Sequence, residues 1–224
     1  MIEISSSFVE TVESSVGRED FGFNNKFGLM LIGHDAINLD ITEFIISYTL
    51  GRLKISSPSV ELAGVIILAS ISREQTREIY PELEGKLFEA FVNAFEKEES
   101  VLVVFQQTDP MNKEYDFISE INKIKGKIKK HKPRGESTGW KDSIRGATPL
   151  PGDRARYEEV GKKIDEGNLS LEDYLKLTHH LVHSPDNAEE IAGLYLLIGE
   201  DYKKEIFGDN VENFDMWVQK IVTK

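Results

Sequence analysis

The chain has 224 residues, a net charge of −12, no cysteine, 40% apolar residues and 9% aromatic residues. That length and apolar content support one large domain or two small ones with a real core, and the missing cysteine excludes disulfides, thiolate metal sites and cysteine nucleophiles. The opening Met1-Ile-Glu-Ile-Ser carries neither a basic nor an apolar leader region, and the longest apolar run, Leu62 to Ala69, falls far short of the ~20 residues that cross a bilayer; a cytoplasmic protein without membrane contact is expected.

In chain order, the first pattern is Asn38-Leu39-Asp40-Ile41-Thr42-Glu43-Phe44-Ile45, where Asp40 suits an N-cap and Glu43 follows three residues on, as in a capping box. Ser57-Pro58 then has the order of an N-cap with proline at the first helical position, so Ser59-Val60-Glu61-Leu62-Ala63-Gly64-Val65 reads as a second helix. From Glu74 to Glu98, the residues Ile79, Leu83, Leu87, Phe88, Phe91 and Phe95 recur at helical spacing, with Pro81 as a boundary or kink. Ser100 to Gln107 is short and β-branched, the best strand candidate, with a buried helical segment as the alternative. Asp109-Pro110 suits the opening of the next helix, in which Phe117, Ile118, Ile121, Ile124 and Ile128 form one stripe and lysines suit the C-terminus.

A second stretch echoes the first. Asn168-Leu169-Ser170-Leu171-Glu172-Asp173-Tyr174-Leu175 is followed by Ser184-Pro185 and by Glu190-Ile191-Ala192-Gly193-Leu194, at offsets of 127 to 130 residues. Each unit reads as a helix, a Ser-Pro turn and a second helix, with Ala63-Gly64 and Ala192-Gly193 as small faces for a neighbouring helix. Near the end, Asn210 suits the cap of a helix presenting Phe214, Trp217, Val218 and Ile221. The expected fold is mainly α: two αα-hairpin units forming an internal repeat, with at most one or two short strands.

Charge divides the chain into three. Residues 1–122 hold 21 acidic and 9 basic residues, 123–156 hold 3 and 11, and 157–224 hold 15 and 7. This predicts an acidic helical lobe (1–122) with the first hairpin, a basic Pro/Gly-containing connection (123–156), and a second acidic lobe (157–224) with the second hairpin. The overall sign opposes general nucleic-acid binding, but the connection alone offers Lys129, Lys130, Lys132, Arg134, Lys141 and Arg145 to phosphates, with Trp140 an aromatic that needs something to pack on. The plainer reading is a solvated linker drawn to the acidic lobes. Glu96, Glu98 and Glu99 form an acidic cluster that suits a basic protein partner, or simply solubility.

Catalytic patterns are scarce. In Thr178-His179-His180-Leu181-Val182-His183, His179 and His183 are four apart and would share a helix face within reach of one metal. A catalytic zinc site needs a third ligand, and the metalloprotease pattern needs glutamate where His180 stands; a helix end favouring histidine is the plainer reading. Glu84-Gly85-Lys86 has the Glu-x-Lys spacing of metal-dependent nucleases but lies in a helical pattern, and Gly33-His34-Asp35 reads as a turn. Phosphate-cradling glycine loops and the Gly-x-Ser-x-Gly elbow are absent. No catalytic set and no cofactor is expected.

Ile37-Asn-Leu-Asp-Ile-Thr-Glu-Phe-Ile45 and Ser57-Pro-Ser-Val-Glu-Leu-Ala-Gly64 resemble small uncharacterised bacterial helical proteins, some of them grouped with immunity proteins of polymorphic toxin systems. The similarity covers residues 27–90 and recurs weakly over 165–205. It implies a cytoplasmic protein that neutralises a cognate toxin, a basic toxin domain being the expected partner, and it carries over no site residue. The expected function is therefore non-enzymatic protein binding, with nucleic-acid or phosphate binding through 123–156 and a His179/His183 metal-dependent hydrolase as alternatives.

Overall fold

The computed structural model describes residues 23–112, 114–126, 143–144, 159, 162–163, 166–168, 170 and 181–223. Phe27–Ile32 (β1) and Ser100–Gln107 (β3) are almost uninterruptedly apolar, and they pair antiparallel from Phe27 opposite Gln106 to Ile32 opposite Val101. Val60–Leu68 (β2) pairs along the other edge of β3, and Val182–His183 (β4) along the other edge of β1, giving the order β2-β3-β1-β4. The central strands β1 and β3 are buried on both faces, which is why they read as runs and not as alternations.

Because β1 and β2 are both antiparallel to β3, they run parallel to each other with β3 between them. The crossover joining them is α2 (His34–Asn38) and α3 (Thr42–Ser56), a split β-α-β unit. A single turn, α1 (Phe23–Lys26), precedes β1; α4 (Arg73–Ile79) and α5 (Gly85–Lys97) lie between β2 and β3, and α6 (Phe117–Lys125) follows β3. After β4 come α7 (Ala188–Leu196), α8 (Glu200–Phe207), a 3₁₀ turn (Gly208–Asn210) and α9 (Val211–Val222).

Alternation along β1 sorts the layers. Phe27, Leu29 and Leu31 enter a core with Tyr195, Phe207, Phe214 and Trp217 of the last three helices. Phe23 sits in that core with ring centroids 4.7 Å from Phe214 and 5.7 Å from Trp217, aromatic contacts worth about 0.5–1.5 kcal/mol each beyond their burial. Met30 faces α3, its Sδ 3.8 Å from Thr49 Oγ1. A polar tie joins α7, α8 and α9: Lys203, a residue only 6% exposed, donates from Nζ to Glu200 at 2.8 Å and to Asp215 at 3.3 Å, and lies over the Tyr195 ring. Tyr195 Oη donates to the same Asp215 oxygen at 2.9 Å, and burial followed by that carboxylate pushes the phenol far above its ordinary pKa.

Two compact units form, residues 20–122 with 180–224, and residues 1–19 with 123–179. The sheet belongs to the first. In the second, Lys163 pairs with Glu159 at 3.6 Å and Lys162 with Glu166 at 3.8 Å, both at helical spacing. Among the described residues no helix is long and apolar enough to cross a membrane.

The mainly helical repeat expected from the sequence does not form. Among the described residues a four-stranded sheet replaces the one or two strands anticipated, and the second "helix" of the first hairpin is β2. Val65, Ile66 and Ile67 are β-branched and have β3 beside them, and pairing with that strand outweighs the local resemblance to a helix. Asp40 does not cap α3; it adopts φ 55° while Ile41 takes the cap position. Ser57-Pro58 is a turn leading into β2, and Ser184-Pro185 likewise opens no helix, since α7 begins at Ala188 with Asn187 as its cap. Residues 171–175 and Ile128 lie outside the described residues. Asp109-Pro110 forms an Asx turn, Asp109 Oδ1 accepting from Met111 N at 2.9 Å, and α6 begins only at Phe117. Elsewhere the spacing was informative: Ser100–Gln107 is a strand, Pro81 separates α4 from α5, and α9 buries Phe214, Trp217 and Val218. Asn210 precedes α9 but makes no capping hydrogen bond, its Nδ2 donating instead to Phe207 O at 3.0 Å.

Candidate functional site

β4 adds two residues to the open edge of β1, with His183 opposite Leu31 and Val182 opposite Ile32, and the ladder ends where Gly33 N donates to Leu181 O at 3.0 Å. Ser184, Pro185 and Asp186 then turn the chain into α7, whose cap, Asn187, accepts from Glu190 N at 2.9 Å. Glu190 therefore stands at the third position of the helix, where a carboxylate reaches back over the N-terminal turn. Its Oε2 accepts from Asp186 N at 2.9 Å and lies 3.5 Å from His183 Nε2. The two side chains are only 10% and 16% exposed, so their attraction is less screened than a surface pair's.

Tyr80 completes the group. It ends α4, and its ring meets the imidazole edge-on, with centroids 4.5 Å apart and planes at 60°. Phe91 and Phe95 of α5 hold Tyr80 from behind at 4.9 and 6.2 Å. α4 and α7 approach this closely because residue 193 is glycine: a Cβ there would lie 2.3 Å from Glu78 O. Arg77 braces the segment after Tyr80, donating to Pro81 O and Leu83 O while its guanidinium covers the Phe88 ring at 3.7 Å. Nearby Arg73 forms a forked pair with Glu89, which holds that carboxyl below the usual carboxylate range.

The Glu190 carboxylate lies at ion-pair distance from Nε2 without hydrogen-bond geometry, and its charge favours the tautomer with the proton on that nitrogen. When the proton sits on Nε2, the lone pair is on Nδ1, and that nitrogen can act as a base or a nucleophile.

Among the described residues, the sequence candidate His183 is brought into a grouping with Glu190 and Tyr80, which is not the grouping expected. It lies on a strand, so the helical i,i+4 face that was to join it to His179 does not include it; His179 itself lies outside the described residues. Among the described residues no group of three or more His, Asp or Glu side chains is placed to hold a metal. Glu96, Glu98 and Glu99 are exposed around the C-terminal end of α5. Lys129, Lys130, Lys132, Arg134, Trp140, Lys141 and Arg145 lie outside the described residues. Glu84 is the N-cap of α5 with Lys86 exposed in its first turn, and His34 Nε2 lies 3.4 Å from Asp35 at the start of α2. Sequence reasoning missed Glu190 and Tyr80. A cap residue followed three positions on by glutamate was the available signal for Glu190; no local signal marks Tyr80.

No protein-family model matches the chain, and no curated protein matches it. Among solved structures, it is similar to a nucleoside-diphosphate kinase from Borrelia burgdorferi, a transition-state mimic with bound vanadate and ADP, at 11% identity and a TM-score of 0.50 over 83% of this chain and 94% of that one. Nucleoside diphosphate kinases from Aquifex aeolicus (13% identity, TM-score 0.48, 79% of this chain and 97% of that) and Encephalitozoon cuniculi (16%, 0.43, 83% and 91%) are also similar. At such identities the likeness is one of fold, an α/β fold on an antiparallel sheet. It corrects the toxin-neutralising helical protein implied by residues 27–90, since the Leu-Ala-Gly "helix" that carried that resemblance is a sheet edge.

Proposed function

We propose that this chain transfers phosphoryl groups through His183, with a nucleoside triphosphate as the donor. The supporting observation is the His183–Glu190 pair: an imidazole on the sheet edge with Nε2 3.5 Å from a carboxylate. The donor class follows from the Borrelia burgdorferi kinase with its bound ADP and vanadate, whose fold is similar; because one fold hosts many activities, the imidazole and not the fold carries the weight.

In the first half-reaction the Nδ1 lone pair attacks the terminal phosphorus. A P–N bond forms as the bond to the bridging oxygen breaks, and the nucleoside diphosphate leaves with that electron pair. In the second half-reaction an oxygen of an acceptor diphosphate attacks the same phosphorus, the P–N bond breaks, and its electrons return to Nδ1. The ring gains positive charge while phosphorylated, and the Glu190 carboxylate, already in place, stabilises it without reorganisation. Tyr80 fixes the ring plane.

The test is incubation with γ-labelled nucleoside triphosphate. Label stable to alkali and labile to acid is expected on the wild-type protein and absent from His183→Asn, and Glu190→Gln should label about 100-fold more slowly. An unlabelled wild-type protein, or label persisting in His183→Asn, would overturn the proposal.

A further inference from the structure

The two residues after His183 are anchored to α6 by one side chain. Ser184 Oγ donates to Asn122 Oδ1 at 2.7 Å, and Asn122 Nδ2 donates to Pro185 O at 3.1 Å. Both partners are buried, Ser184 at 1% and Asn122 at 7% exposed. A short side chain that accepts from a hydroxyl at one end and donates to a carbonyl at the other has to be an amide; a carboxylate of the same size has no donor for Pro185. The next residue, Asp186, gives its N–H to Glu190 Oε2, the oxygen that faces His183 Nε2. One continuous path therefore runs from Asn122, through the backbone of residues 184–186, to the carboxylate beside the imidazole.

We infer that Asn122 is a positioning residue for His183: by fixing the backbone of Ser184 to Asp186 it holds Glu190 against Nε2, keeps the ring proton there, and leaves the lone pair on Nδ1. The catalytic consequence rests on the phosphoryl-transfer reading above; the effect on the ring does not, and the two are measured separately.

The measurement is a long-range ¹H–¹⁵N correlation spectrum of histidine-labelled protein, which reports the tautomer of each neutral imidazole. The wild-type protein should show His183 dominated by the Nε2–H tautomer. In Asn122→Asp, which preserves size but sets an acceptor against Pro185 O, the His183 resonances should move towards a mixture of both tautomers. Labelling by nucleoside triphosphate should slow about 10- to 100-fold, with the nucleotide KM unchanged, as expected for a misplaced reacting group. Ser184→Ala removes one of the two bonds and should shift the tautomer less, in the same direction. In a Glu190→Gln background, Asn122→Asp should add nothing, since both changes act through one carboxylate.

A folded Asn122→Asp protein with the wild-type tautomer would overturn the inference, and so would effects that add in full to those of Glu190→Gln. If Asn122→Asp fails to fold, Ser184→Ala decides, and an unmoved His183 spectrum there overturns it. An unlabelled wild-type protein whose tautomer still responds to Asn122 would defeat phosphoryl transfer and leave the positioning role standing.

Discussion

Glu61-Leu62-Ala63-Gly64 and Glu190-Ile191-Ala192-Gly193 are nearly the same four residues, yet the first run lies in strand β2 and the second in helix α7. Their surroundings decide. The first is followed by Val65-Ile66-Ile67-Leu68 and lies beside β3; the second is preceded by Asn187, whose side chain caps the helix, and is followed by Leu194-Tyr195-Leu196. β-branched residues favour the pleated surface, whereas a satisfied cap and leucines, which carry no branch at Cβ, favour the helix. The glycines differ in role as well. At Gly64, where the pairing with β3 shifts register, an added Cβ would meet only the end of the Ile206 side chain, at 2.6 Å. At Gly193 it would meet the Glu78 backbone.

The largest effect should separate these two glycines. Gly193→Val drives α7 off a rigid backbone and should cost about 3 kcal/mol in denaturant unfolding, with loss of His183 labelling as Tyr80 moves away. Gly64→Ala should cost about 1 kcal/mol, because Ile206 can turn aside. Equal costs would mean that the two runs are packed alike, against the structure.

A smaller contrast concerns the residues that introduce each run. Asn187→Ala should cost about 1 kcal/mol and lower the helical signal in circular dichroism, since a cap is lost. Ser57→Ala should cost about 1–2 kcal/mol with no change in helical signal. Ser57 Oγ accepts from Gln107 Nε2 at 2.6 Å and Asn112 Nδ2 at 3.3 Å, so its loss strands a buried amide and uncaps nothing.

The smallest effect belongs to an ion pair outside both runs. Arg73 holds the Glu89 carboxyl below its ordinary range, so the pair contributes above the ordinary carboxylate pKa and its contribution is lost as pH falls through the depressed one. Both side chains are half exposed, so Glu89→Gln should lower Tm slightly at neutral pH. That difference should vanish in acid and shrink in high salt. A large, salt-insensitive drop would contradict the exposed geometry.

The same contrast explains what the sequence disclosed. Ser100–Gln107, the Pro81 break and the Phe214-Trp217-Val218 stripe were legible because each is encoded within a dozen residues, by branching, by a ring lacking N–H, or by helical spacing. β1 was not. Six residues buried on both faces show no alternation, and a run of that length fits a helix turn equally well. β2 was misread because a local resemblance to α7 concealed a partner strand about 40 residues away. His183 was noticed for its spacing from another histidine, but its neighbours arrive by sheet pairing and helix packing: Glu190 across a strand-to-helix turn, and Tyr80 from about 100 residues earlier.

The place of β1 at the middle of the sheet also sets an order of events during synthesis. Its outer partner, β4, is made about 150 residues after it, so at about 5–20 residues per second Phe27–Ile32 waits roughly 8–30 s for that edge to be filled. For that interval an apolar strand meant for burial is open to chaperones or to other nascent chains. A chain released before residue 183 lacks the strand that closes this edge and also the three helices after it, which supply Tyr195, Phe207, Phe214 and Trp217 to the core.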